Sequence, residues 1–397
     1  METIFYRMTW WSLIVLAIGT YTSVSFSALS HILIIIPGGY FTYKAIKEKR
    51  FHLDLSSLAL LLLFVVIIVS VILNLDIVAK PIKNIFKGKY FIIALLSIFA
   101  FRETFKNYID DRKIKIVLKL FLFASALATL SGIIALYTGF NPIKFKTACH
   151  ESRACGLFGM YMTYGYGVGF LATILSAMVV YRDKFKHWIS QEWLIISCTI
   201  AVAGLFLSYA RGAWIGYAIS LPFIFLRQSK KKFFASITIG ILAVAILFGA
   251  SQKVRETFFS KNRSESTTVR LSFYKTAWYA FKERPLFGLG YKNFEPNVAN
   301  IKAKYKIDRP HNIGHAHNNF LEHLASTGII GFIIVMLFHL AWLKESYFDP
   351  GLFGIIVFPF LIGFIVSGTV QYTFGDGENL FFVLGLFSLH KSLKRHG

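Results

Sequence analysis

RPHNIGHAHNNFLEHLASTGIIG, residues Arg309–Gly331, is the stretch on which the reading of the chain turns. Three histidines, His311, His315 and His317, stand just ahead of an apolar run from Phe320 to Trp342, which is long enough to cross a bilayer. A polar cluster therefore lies where a water-exposed segment enters a membrane. Such an entrance is expected to be one wall of an active site. The rest of the chain must then supply a membrane, a side of it and a charged substrate.

Composition supplies the membrane. The 397 residues are 55% hydrophobic, 17% aromatic and only 16% charged, with a mean hydropathy of +0.57. A soluble chain carries roughly a quarter charged residues. Apolar runs lie at about 9–24, 27–46, 55–75, 88–104, 116–137, 157–180, 191–208, 213–227, 233–249, 320–342, 351–370 and 379–390. The fold class expected is all-α: a polytopic membrane protein of about twelve transmembrane helices with one long, partly helical external segment. Spans one to nine fall in 1–249, the external segment in 250–318, and spans ten to twelve in 319–397. No small-residue cleavage site follows the first run, so it is expected to stay as a helix. Pro37 with Gly38-Gly39 predicts a kink in the second.

Charge supplies the side. The formal net charge is +23. Nucleic acid is one possible cause of such a bias, and basic residues anchoring cytoplasmic loops are the commoner one in a membrane protein. The basic loops at Lys44–Arg50, Arg102–Lys115, Arg182–Lys186 and Arg227–Lys232, and the tail KSLKRHG, all fall on one side of the spans, which is assigned as cytoplasmic. One loop dissents. Lys80–Lys89 (KPIKNIFKGK) falls outside and reads as a short interfacial segment with Ile82, Ile85 and Phe86 facing lipid.

Three features then share the outer face. The loop Thr138–Gly156 carries Cys149 and Cys155, which could pair if that side is oxidising. A very short turn occupies Ser208–Gly212. The segment 250–318 holds 13 Lys or Arg against 5 Asp or Glu. Attraction to lipid headgroups, or solubility, explains such a bias; so does a site for an anionic substrate. Within the segment, Leu271, Tyr274, Trp278 and Phe281 recur at helical spacing, which predicts a helix over Arg270–Glu283 lying on the membrane surface. Pro285 and Gly288-Leu289-Gly290 end it.

Four residues on this face suit chemistry on an anion. Arg211 sits between spans seven and eight with almost no loop around it. It is either an arginine snorkelling to the interface or one holding a phosphate with its planar fork. Arg270 opens the surface helix, and Arg153 precedes span six. His317 stands before a helix start at Asn318, where free N–H groups and the helix dipole favour an anion. The same dipole and arginines disfavour imidazolium, leaving a neutral ring able to accept a proton. Zinc is the alternative for three histidines, but HNIGHAH lacks the helical HExxH arrangement. Twelve spans would also suit a transporter or flippase, although transporters place ionisable residues near the midplane and here polar groups gather at one face. A scaffold without chemistry is a further reading.

These residues resemble the O-antigen ligase (WaaL) and O-antigen polymerase (Wzy-type) superfamily of bacterial membrane glycosyltransferases. The family's arginine, followed by three residues and a leucine, matches Arg211–Ile215 with isoleucine in the leucine's place. Its histidine, followed by ten residues and a glycine, matches His317–Gly328. The stretch VRLSFYKTAWYAFKERPLFGLGYKNF is similar to the family's arginine helix and Pro-Leu-x-Gly-x-Gly turn, and carries Arg270. The resemblance implies a GT-C-like multi-pass protein of the bacterial inner (cytoplasmic) membrane with its active site facing the periplasm. It implies transfer of a glycan from undecaprenyl pyrophosphate to a sugar hydroxyl of lipid A-core, or, in a polymerase, to another glycan repeat. Arg211 and Arg270 would hold the pyrophosphate. His317 would take the acceptor proton, with inversion at the anomeric carbon. Arg153, His315, Asn318, Tyr274 and Trp278 would line the substrates. No metal, cofactor or nucleic acid is expected, because arginines can stabilise the leaving group.

Overall fold

The computed structural model describes residues 2–259 and 261–393, and every one of the twelve apolar runs is a helix. The protein is an all-α polytopic membrane protein. Its helices are α1 (Glu2–Thr22), α2 (Val24–Lys47), α3 (Leu55–Ile72), α4 (Pro81–Lys87), α5 (Lys89–Asn107), α6 (Asp111–Thr138), α7 (Tyr161–Val180), α8 (Gln191–Leu207) and α9 (Arg211–Leu226). They continue as α10 (Lys230–Ala250), α11 (Gln252–Phe259), α12 (Lys261–Glu283), α13 (Phe294–Lys304), α14 (Asn319–Phe348), α15 (Leu352–Gly368) and α16 (Gly377–Leu393). Among the described residues, seven helical stretches are long and apolar enough to cross a membrane, and α8, α9 and α15 are shorter apolar helices. Two-residue strands at Phe140–Asn141 and Lys146–Thr147 pair antiparallel in the loop before α7.

Local sequence sets the helix starts. Ser23, Asp54, Asp110, Ser190 and Ser229 each accept a hydrogen bond from the amide three residues on, satisfying a donor that has no partner within the helix. Pro37 does not end α2, which runs on to Lys47. A Cβ at Gly38 would stand 2.8 Å from Leu96 Cβ, so the small residue beside the proline lets α2 lie close against α5. The bundle packs α14 on α3 and α15, α9 on α15 and α7, and α5 on α2 and α16. No residue of α10 is buried, so this helix stands at the lipid-facing edge beside α9.

The loops sort onto two faces, as the charge pattern requires. On one face Lys391 pairs with Asp54 (2.7 Å) and with Glu345, Arg50 pairs with Glu103 (2.9 Å), and Arg227 donates to the Asp349 carbonyl (2.7 Å). Of the basic tail KSLKRHG, residues 394–397 lie outside the described residues. On the other face the segment 251–318 meets the connections after α3, before α7, before α9 and after α15. Arg284 binds Asp76 (2.5 Å) and Asn74 (2.7 Å), Asn293 donates to the Ile77 carbonyl (3.3 Å), and Lys292 donates to the Gly375 carbonyl (2.9 Å).

The surface helix is longer than its spacing predicts, running from Lys261 to Glu283. Phe273, Ala277 and Ala280 of α12 are buried with Leu289, Phe294, Val298, Ile301, Ala316 and Ala325 in a small second core. Leu271 and Trp278 are exposed on the opposite side of the helix. Small side chains at 277 and 280 let α12 sit directly on α14, so its apolar surface is covered by protein.

The turn after α12 is locked into a break in α14. Gly328 has φ 67° and ψ −166°, a conformation reserved for glycine. There Ile329 N donates to the Pro285 carbonyl (2.8 Å), and the Ala325 carbonyl accepts from Leu289 N (2.9 Å). The turn thus takes up backbone groups that an unbroken helix would pair internally. The rest of α14, from residue 329 to Phe348, then enters the bundle.

Candidate active site

Arg153, Arg211, Arg270 and His317 line one cavity of about 200 Å³ on the face that carries 251–318. They come from four distant parts of the chain: the loop before α7, the first residue of α9, the middle of α12, and the approach to α14. Tyr161, Met162, Tyr166 and Tyr209 complete much of the wall. Arg153 lies over the Tyr161 ring at 4.2 Å. Arg211 Nη1 reaches the Phe258 carbonyl at 3.5 Å, and Arg270 Nη2 lies 3.9 Å from Met162 Sδ. Three guanidinium groups around so small a volume have the charge and geometry to suit a multiply charged anion.

Each arginine is placed by its local backbone. Tyr209, with φ 50°, turns the chain sharply between α8 and α9. Ala210 caps α9 without a side-chain hydrogen bond, so the first N–H groups of that helix end at the cavity beside Arg211. The helix end expected to serve this purpose, that of α14, does not. Asn318 Oδ1 accepts from Phe320 N (2.8 Å) and Leu321 N (3.0 Å), and the buried Glu322 carboxylate lies in the first turn. Of these two helices, the start left without a side-chain cap is that of α9.

His317 is held on both sides. Its Nδ1 lies 2.8 Å from Gln371 Oε1, and its carbonyl accepts from the Tyr274 hydroxyl at 3.4 Å. With the amide oxygen as acceptor, Nδ1 carries the proton and Nε2 is the nitrogen able to receive one. The residue has φ 49°, a left-handed conformation that costs a side-chain-bearing residue about 1–2 kcal/mol. Burial holds its pKa below the ordinary histidine value; the Arg270 charge adds to this, and the Gln371 hydrogen bond opposes it. The ring is neutral near pH 7.

The other expected residues divide. His315 lies against His317, ring centroids 4.2 Å apart and tilted, and its Nε2 lies 3.5 Å from Gln371 Nε2. Burial, then the His317, Lys292 and Arg270 charges, push its pKa down to about 3. Asn318 spends its side chain on the α14 cap and on the Thr369 carbonyl (2.8 Å), a positioning task. Tyr274 joins His317 to a neighbouring cavity of about 510 Å³, which it lines with Trp278, Tyr279 and Tyr305. Trp278 therefore stands apart from the arginine cavity, tilted against the Phe281 ring with centroids 5.3 Å apart. His311 is exposed in the loop. Cys149 and Cys155 form a disulfide, which closes the loop that ends in Arg153 and Gly156. Among the described residues no group of three or more His, Cys, Asp or Glu side chains is arranged to hold a metal ion.

Gln371, Tyr166 and Lys292 are not singled out by the sequence reading. Gln371 sits in the connection after α15, which alternation of spans places on this face. That placement and its amide in a run of aromatic and small residues were the available signals. Lys292 donates to Gly375 in the same connection and lies 4.6 Å over the Tyr372 ring; burial lowers its pKa.

Residues 196–336 match the model of a family described as O-Antigen ligase. The matched part runs from α8 past the break in α14 and contains Arg211, Arg270, His317 and Gly328. An uncharacterized protein of Haemophilus influenzae is 26% identical over 291 residues, covering 69% of this chain and 68% of its own length. A Rickettsia prowazekii protein, named provisionally as a polysaccharide ligase, is 22% identical over 293 residues, covering 70% of this chain and 67% of its own. The resemblance read from the motifs is thereby found independently, with the motif residues inside the matched part.

Proposed function

We propose that this chain, similar over residues 196–336 to the O-antigen ligase family, transfers a glycan from undecaprenyl pyrophosphate to a sugar hydroxyl of lipid A-core at the periplasmic face of the inner membrane. The observation that carries the reading is the meeting of Arg153, Arg211, Arg270 and His317 around one cavity. Arg211 and Arg270, with the open start of α9, bind the pyrophosphate; Arg153 adds a third charge at the rim. The acceptor oxygen attacks the anomeric carbon as the bond from that carbon to the pyrophosphate oxygen breaks. The acceptor proton passes to His317 Nε2, and the negative charge developing on the leaving group is met by the guanidinium groups. Attack opposite the leaving group inverts the anomeric centre in one step. Gln371 fixes the tautomer that makes Nε2 the acceptor.

The cavity lined by Tyr274, Trp278, Tyr279 and Tyr305 supplies aromatic faces for sugars beside the reacting end. The donor lipid enters sideways, and α10, with none of its residues buried, marks the flank that can yield.

The test is transfer from a defined undecaprenyl-pyrophosphate donor to lipid A-core by purified protein, with a chelator present. Product with an inverted linkage supports the reading; no product from intact protein sinks it. Deleting the gene separates ligase from polymerase. Polymer left on its lipid carrier and absent from core marks a ligase, whereas a single repeat on core marks a polymerase.

A further inference from the structure

The dissenting loop has a structure and a location that its charge alone does not explain. Lys80, Lys83, Lys87 and Lys89 fall within ten residues, and no acidic residue occurs from 77 to 102. Basic residues in a short loop are disfavoured on this face. The loop is folded, as α4 running into α5. Asn84 and Gly88 are buried against the bundle, and Ile85, expected toward lipid, packs on the core. Ile82 and Phe86, one helical turn apart, are 82% and 61% exposed. The four lysines surround these two side chains and Tyr90 about an open cavity of about 730 Å³. Lys89 lies 4.1 Å over the Phe86 ring, and among the described residues no ion pair involves any of the four. Cations around a protruding apolar pair are the pattern of a helix seated in the headgroup region, apolar tip among acyl chains and charges at phosphate depth.

The patch is tied to the candidate active site. Val78, just before α4, would contact a Cβ placed on Gly290 at 2.8 Å, and Asn293 holds the Ile77 carbonyl. Between them Lys292 holds the Gly375 carbonyl, in the connection whose Gln371 holds His317. A lipid held at α4 would thus lie at the edge of the layer that carries His317.

We propose that α4 and the first residues of α5 form the docking site for the phosphate groups of an outer-leaflet lipid, and that this lipid is the acceptor. The identity of the lipid as acceptor rests on the function proposed above; the binding of a phosphate-bearing lipid does not. Lys80, Lys83, Lys87 and Lys89 receive the phosphate oxygens, Ile82 and Phe86 enter the acyl layer, and the headgroup sugars extend toward His317.

The test uses the full chain in nanodiscs of phosphatidylcholine, a zwitterionic lipid. Lipid A, its dephosphorylated form and phosphatidylglycerol are added separately, and retained lipid is counted by native mass spectrometry. Lipid A is expected to be retained, its dephosphorylated form at least tenfold less. The variant K80Q/K83Q/K87Q/K89Q should lose about tenfold in lipid A retention, and the corresponding arginine variant should keep it. Equal retention of both lipid A forms, or unchanged retention by the glutamine variant, overturns the site. Phosphatidylglycerol held as tightly as lipid A overturns the acceptor assignment. In transfer assays the glutamine variant should raise the acceptor KM about tenfold at unchanged kcat and donor KM; an unchanged acceptor KM also overturns it. Should wild-type protein retain lipid A yet transfer nothing, the transfer reading fails while the lipid site stands.

Discussion

Replacing Gly328 by alanine is expected to disable the enzyme without touching the arginine cavity. A Cβ there would stand 2.3 Å from the Leu286 carbonyl oxygen and 2.5 Å from Phe287 N, both backbone atoms that cannot rotate away. The backbone at φ 67°, ψ −166° costs a residue with a side chain about 1–3 kcal/mol, and forcing a methyl into packed backbone adds about 1–3 kcal/mol. Relief comes by lifting the Pro285–Leu289 turn off α14, which breaks the bonds from Ile329 N and Leu289 N. That turn anchors the end of α12, the helix that carries Arg270. About 2 kcal/mol shifts a local equilibrium about 30-fold, so transfer should fall by up to that factor. Two assays read this: the rate of transfer, and limited proteolysis after Lys282 and Arg284, which should become faster. Gly39→Ala is the control, since a Cβ there meets nothing within 4 Å. If Gly328→Ala transfers within twofold of wild type with unchanged proteolysis, the argument that the break locks the arginine helix in place is wrong.

His317→Ala and Arg211→Ala should each abolish detectable transfer while the protein inserts normally; full activity in both would remove the assigned roles. Gln371→Leu should lower kcat about 10- to 100-fold, because Nδ1 loses the acceptor that fixes the tautomer. Gln371→Glu should restore part of that rate and move the acidic limb of the pH profile upward, since a carboxylate stabilises imidazolium; an unmoved limb counts against the contact. In the wild type, activity should fall only below the ordinary histidine value, because the His317 pKa is lowered. His315 gives a stability prediction of definite sign. Its folded pKa, about 3, lies below its unfolded value, so the unfolded chain binds the extra proton between them. Stability should be full above about pH 6.5 and be lost as pH falls toward about 3, and His315→Gln should flatten that part of a thermal-melt series.

The helices were legible because bilayer thickness acts on composition directly, and the basic connections that the charge pattern groups together do lie on one face of the bundle. Twelve apolar runs became twelve helices, and the basic loop at 80–89 holds the short helix α4. Arg153, Arg211, Arg270 and His317 were legible because charge at a membrane edge is costly and stands out. Gln371 was not: a neutral amide in a short connection has no such signature, and its role depends on α15 returning to His317. The buried face of α12 was not legible for a related reason: Ala277 and Ala280, small residues without a signature of their own, decide where α14 can approach. Gly328 marked the end of a motif; that it accepts the turn at 285–289 needed coordinates.

Gln371 also sets when the site can exist during synthesis. The chain is made from its N-terminus, and Arg153, Arg211, Arg270 and His317 all leave the ribosome before the connection that carries Gln371. That connection reaches the outer face only once α15 has inserted, and α16 must follow to hold it there. A nascent or prematurely terminated chain can therefore display three arginines and a histidine to a lipid pyrophosphate without the group that sets the histidine's tautomer. On the function proposed above, chains that lack the last hairpin should therefore transfer no faster than Gln371→Leu.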